Sequence, residues 1–177
     1  EMTGTLKREA FNKLTAVKEV KRAAVERYFK TIQDQILTFS ENRMIIDSMR
    51  DFSRSFYRFN SENRFAASQL ETFKSELNTY YTREFANEYA AQNQGRVIDT
   101  KSLINQLPAE TIAVQHFYIY SNPNPLGSKH LLDKAPDSSN YSQSHNTVHP
   151  IIRSYLEKFG YYDIFLVDLE SGNIVYS

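Results

Sequence analysis

The run His145-Asn146-Thr147-Val148-His149 sets two imidazoles four residues apart, a spacing at which both face the same side of a helix and could share a divalent metal ion. His130 and Asp133 stand upstream and would complete a ligand set if the chain between folds back onto that helix. The glutamate that a zinc-dependent hydrolase needs beside its first histidine is Asn146 here, and Pro150 follows the second. The competing reading is two histidines that cap or hydrogen-bond within the first turns of a helix.

A second group is phenolic. The chain holds 12 Tyr and 12 Phe but no Trp. Most fall at helical spacing, where core packing accounts for them. Phe117, Tyr118, Tyr120, Tyr161 and Tyr162 instead gather around a proline-containing loop and a C-terminal hairpin, where a phenol can pack against a small ligand and hydrogen-bond it. The candidate ligand-binding residues are therefore Tyr118, Tyr120, Lys129, His130, Tyr161, Tyr162 and Asp163.

Other chemistries lack their residues. There is no Gly-rich phosphate loop, no Walker-type lysine and no G-x-S-x-G elbow. Zero cysteines remove disulfides, thiolate metal sites and cysteine nucleophiles. Lys plus Arg equals Asp plus Glu at 21 each, so the chain lacks the basic field of a nucleic-acid binder. The expectation is a binding module without a cofactor rather than an enzyme.

The elements that must position these residues are mainly helical. From Leu6 to about Glu41 no Gly or Pro intervenes, and Ala10, Leu14, Val17, Val25, Phe29, Ile32, Ile36 and Phe39 recur at steps of three and four, which predicts one helix of roughly ten turns. Its first half is basic, with Lys7, Arg8, Lys13, Lys18, Lys21, Arg22, Arg27 and Lys30. That is either a solvated face or a stalk near a phospholipid surface. A break at Asn42-Arg43 leads to a second helix over Met44 to Phe59, and a third is expected from Arg64 to Gln92, closed by Gly95. These three can pack as an antiparallel bundle.

Beyond Gly95 the texture changes, so residues 1–95 read as a long helix and helical bundle and 96–177 as loop, helix and strands. Thr111 to Tyr120 fits a strand or a helix end. Ser121 to Ser142 carries three prolines and one glycine, and a loop of that length tends to be functional or tightly pinned. A last helix is expected over Gln143 to Phe159, stopped by Gly160. Ile164 to Val167 and Ile174 to Tyr176, joined through Gly172-Asn173, read as strand, turn, strand. Both alternating faces of the first strand are apolar, which predicts cover on both sides. The fold class expected is α+β, predominantly helical, with a small antiparallel sheet.

Three segments resemble a known family: Leu14 to Met49, "HFYIYSNPNPLGSKHLLD" (His116 to Asp133), and "YSQSHNTVHPIIRSYLEKFGYYDIFLVDLESGNIVYS" (Tyr141 to Ser177). In this order they look like the extracytoplasmic Cache-type, PAS-like sensor region of bacterial methyl-accepting chemotaxis proteins, a region also found on sensor histidine kinases and nucleotide cyclases. The resemblance implies a periplasmic sensor that binds a small molecule, is anchored in the inner membrane through spans outside this chain, and works as a homodimer in the full receptor. It also implies further strands beyond Ser177. One departure is plain. The amino-acid-binding members carry an Arg-x-Trp-Tyr signature, and this chain has no Trp. Ligand binding would be passed to cytoplasmic domains through displacement of the long helix. The rival expectation is a helical dimerisation or interaction module that binds no small ligand.

Overall fold

The structure, a computed structural model, describes residues 2–177. It is 72% helical with a small two-stranded antiparallel sheet, so the chain is an α+β protein dominated by helices. Packing divides it into one unit that ends at Ile46 and a second, Asp47–Ser177.

The first unit is chiefly α1 (Met2–Ser40), a single uninterrupted helix of 39 residues. At 1.5 Å per residue it extends about 58 Å. The expected apolar stripe is present in the sequence, yet Phe11, Leu14, Val20, Tyr28 and Phe29 are all exposed. Arg22 pairs with Glu19 at 2.8 Å, and Lys30 pairs with Asp34 at 3.1 Å. Such solvated pairs contribute little to stability. At the predicted break, the Asn42 side chain accepts the Met44 N–H at 2.9 Å, which starts α2 (Arg43–Asn63).

In the second unit, Phe52, Phe56 and Phe59 recur at helical spacing along α2 and are all buried, Phe52 and Phe59 completely. Arg64, at φ +56°, ends the helix. The single third helix expected from Arg64 to Gln92 is instead three pieces: α3 (Ala67–Tyr80), a π-helical turn (Tyr81–Phe85) and α4 (Ala86–Gln92). The Ala86 N–H reaches back to the Tyr81 carbonyl, five residues away, so the turn holds one residue more than α-periodicity allows. Gly95, at φ +80°, closes this segment as expected, its N–H on the Ala90 carbonyl.

α5 (Thr100–Asn105) starts at Asp99, whose carboxylate accepts the Ser102 N–H at 3.0 Å. α6 (Ala109–Gln115) begins after Pro108 and runs into a second π-turn, His116–Tyr120. This resolves the strand-or-helix ambiguity of Thr111 to Tyr120 in favour of helix. Leu77, Ile104 and Ile112 form a buried cluster, with Phe73, Tyr81 and Leu107 against it. α3 thus packs on α5 and α6 across Gly95.

The loop from Ser121 is tightly pinned. Buried Asn122 donates to the carbonyls of Tyr118 (2.8 Å) and Lys129 (2.9 Å) and accepts the Asn124 N–H. After a short 3-10 turn, Lys129–Leu131, the chain enters α7 (Asn140–Phe159), capped by the Ser139 hydroxyl at one end and by Gly160 at φ +69° at the other. Glu62 of α2 accepts the backbone and side-chain N–H groups of Asn140 at 2.8 and 2.9 Å.

The hairpin is shorter than its pattern predicts: β1 is Leu166–Val167 and β2 is Ile174–Tyr176, with an irregular register between them. The expected two-sided cover is corrected. Leu166, Val175 and Tyr176 are buried, but Phe165, Val167 and Ile174 are exposed. The covered side leans on helices, with the Tyr141 hydroxyl of α7 donating to the Val175 carbonyl at 3.0 Å. Tyr57 of α2 holds the turn, its hydroxyl 2.6 Å from Ser171 and 3.1 Å from the Asp168 carboxylate. The Ser171 and Tyr57 hydroxyls keep the Asp168 carboxyl below its ordinary range.

Candidate functional site

Two places in the second unit combine polar chemistry with space. The first is built on α7. His145 and His149 lie one turn apart, their rings stacked with centroids 4.3 Å apart and planes inclined by 21°. The His145 Nδ1 meets the Asp133 carbonyl at 2.7 Å. A carbonyl only accepts, so this nitrogen carries the proton. His149 is held at both nitrogens, with Nε2 donating to the His130 carbonyl at 2.6 Å and Nδ1 accepting from the Tyr176 hydroxyl at 2.6 Å.

Burial favours the neutral form of both rings. Burial and then the neighbouring His149 push the His145 pKa down to about 3, and burial lowers that of His149 as well. This arrangement does not present the pair to a metal ion. The rings stack instead of converging on one point, and His149 has no nitrogen left to ligate. His130 contributes its backbone carbonyl, while the Asp133 carboxylate receives Arg153 at 2.6 Å. Among the described residues no group of three or more metal-ligating side chains forms. The histidines are hydrogen-bonded, as the competing reading expects, but to two loop carbonyls and the last strand rather than within the helix.

Beside this nest lies a cavity of about 50 Å³ lined by His130, His149, Arg153, Asp163, Ile164 and Tyr176, among others. It brings together two of the predicted residues, His130 and Asp163. It has room for a few water molecules and is well below the roughly 150 Å³ that already holds a single aromatic ring.

The remaining predicted residues are dispersed. The Tyr118 hydroxyl is 2.9 Å from that of Ser142, its ring packs on His145, and burial pushes its pKa up to about 12. The Lys129 ammonium donates to the Asn122 carbonyl at 3.0 Å and lies 5.3 Å from the centroid of the Tyr80 ring. Burial lowers its pKa. Tyr120 is on the surface against His116, Tyr161 stacks on Tyr155, and Tyr162 is fully exposed. The candidates thus do not form one pocket.

The second place was missed by sequence reasoning. A cavity of about 230 Å³ opens beside the first π-turn and α5, lined by Tyr81, Phe85, Leu103, Ile104, Leu107 and Gln115, with Ile98 and Thr100. No lining side chain is charged. The Tyr81 hydroxyl donates to the Gln115 Oε1 at 3.3 Å, and the Thr100 hydroxyl is 3.3 Å from that of Thr82. Burial pushes the Tyr81 pKa up to about 12, so its phenol remains a donor at neutral pH. The only sequence sign of this site is the crowding of Tyr80, Tyr81 and Phe85, which departs from a clean helical stripe.

No protein-family model, curated protein or solved structure matches this chain. Among the described residues, no helix is long and apolar enough to cross a membrane.

Proposed function

We propose that this chain is the extracytoplasmic ligand-sensing region of a chemoreceptor of the methyl-accepting type. In this reading it lies in the periplasm, is anchored by membrane spans outside the chain, and acts as a homodimer. The observation that carries the proposal is α1, a rod of 39 residues that forms a unit separate from Asp47–Ser177. A rigid helix of this length suits transmission of a small displacement, and a ligand biases such an element only by binding its two arrangements with different affinity. The resemblance of the three sequence segments supports the same reading. Among known outputs, a histidine kinase or nucleotide cyclase would use the same sensor design.

The complete gene tests this directly. An apolar span of about 20 residues on each side, followed by a cytoplasmic methylation region, is the expected result. A kinase or cyclase domain in that place would select the alternative output, and a gene product with no span would overturn the receptor reading.

A second reading is favoured by the exposed apolar residues of α1, including Phe11, Leu14 and Val20: a helical dimerisation module that senses nothing. It predicts a dimer of the isolated chain in sedimentation and no ligand-dependent change in melting temperature.

A further inference from the structure

We infer that the cavity beside the first π-turn and α5 binds a neutral molecule with a single aromatic ring and one hydrogen-bond acceptor. The inference rests on the sensing reading for its biological role, and on the cavity alone for its chemistry. Protein interiors pack to nearly crystalline density and rarely leave voids much larger than a water molecule. A dry apolar cavity of about 150 Å³ already accepts benzene. The space here, about 230 Å³, leaves room for a ring with a short substituent.

The walls select the ligand. The Tyr81 and Phe85 rings meet edge to face, with centroids 5.5 Å apart at 71°, and offer aromatic surface for further ring contacts. The lining contains no charge, so a carboxylate or ammonium entering it would lose its hydration without compensation. Free amino acids, charged at both ends, are therefore poor guests for this site. Gln115 spends its Oε1 on the Tyr81 hydroxyl, which leaves the Nε2 group to donate to an acceptor on the guest. The first π-turn supplies two of the lining residues, Tyr81 and Phe85. Such bulges are frequent at functional sites.

The test uses the 177-residue chain with methyl groups labelled for NMR and three probes of similar size: acetophenone, ethylbenzene and benzoate. Acetophenone should shift the Leu103, Ile104 and Leu107 methyl signals saturably, binding about tenfold tighter than ethylbenzene, the value of one additional hydrogen bond. Benzoate should give no saturable shift. Gln115→Leu should abolish the preference for acetophenone. Leu103→Trp, a change at a half-exposed position of the rim, should block both neutral probes while circular dichroism remains unchanged.

The inference is overturned if no neutral probe binds, if benzoate binds as well as acetophenone, or if folded Leu103→Trp binds acetophenone like the parent. Binding in a gene product that lacks membrane spans would sink the receptor reading and leave this site standing. Spans without binding would do the reverse.

Discussion

The Tyr176 hydroxyl donates to Nδ1 of His149 at 2.6 Å, and both residues are buried. One hydrogen bond therefore ties the last strand to the middle of α7, and it also fixes which nitrogen of His149 carries the proton. With Nδ1 accepting, Nε2 must donate, and the His130 carbonyl is placed to receive it.

Tyr176→Phe should be destabilising by about 1–3 kcal/mol, because it leaves a buried acceptor unsatisfied while preserving the ring. Urea unfolding measures the loss. Amide exchange should show β1 and β2 opening before α7, and equal stability of variant and parent would mean that this bond is not made in solution.

Acid should weaken the fold through His145. Its pKa is lowered from 6.5 to about 3 in the folded chain, so the unfolded chain binds the additional proton between those values. The stabilisation is complete above about pH 6.5 and is lost as pH falls toward 3, at up to about 1.4 kcal/mol per pH unit for one proton. The lowered pKa of His149 acts with the same sign. Unfolding free energies measured from pH 7 to pH 4 should decline, and His145→Gln should flatten that curve whatever it does at pH 7. A parent curve without slope over this range would rule out a neutral buried pair.

Phe52→Ala should be among the most damaging single changes. The ring is 0% exposed and touches Tyr141 at 5.3 Å and Tyr176 at 4.9 Å between centroids, so its removal leaves a cavity between α2, α7 and the hairpin. A loss of about 3–5 kcal/mol is expected in chemical denaturation. A loss below about 1 kcal/mol would show that the aromatic cluster collapses around the gap.

Much of the framework was legible because it rests on local rules. The unbroken apolar spacing from Leu6 gave α1, Phe52, Phe56 and Phe59 marked the buried face of α2, and Gly95 and Gly160 ended their helices where left-handed backbone is needed. Of the two readings of the loop, functional or tightly pinned, the structure shows the pinning, with Asn122 as an anchor that the sequence did not single out. An Asn preceding Pro123 is a common turn residue, and only the folded chain shows its amide spanning the Tyr118 and Lys129 carbonyls.

The π-turns were invisible for a physical reason. They insert one residue into an otherwise helical pattern, and a reading based on period 3.6 absorbs such a slip without notice. The cavity lined by Tyr81 and Phe85 of the first of them was missed as well. His145 and His149 were rightly placed on one helix face, but their roles depended on Tyr176 and on two loop carbonyls distant in sequence. The phenols Tyr120 and Tyr161 were grouped on the expectation that the loop and the hairpin meet, and the fold gives them different surroundings, His116 for the first and Tyr155 for the second.

The half-covered hairpin has a practical consequence for handling the protein. Among the described residues each strand has one neighbour, so each keeps an outer edge of backbone groups without a strand partner, beside an apolar face carrying Phe165, Val167 and Ile174. An edge of this kind templates the addition of a strand from another molecule. Its short length and the irregular register between Leu166 and Val167 limit that growth. Concentrated samples are therefore expected to coarsen from this end of the chain first, and a charged residue at Val167 is the simplest means of keeping them clear.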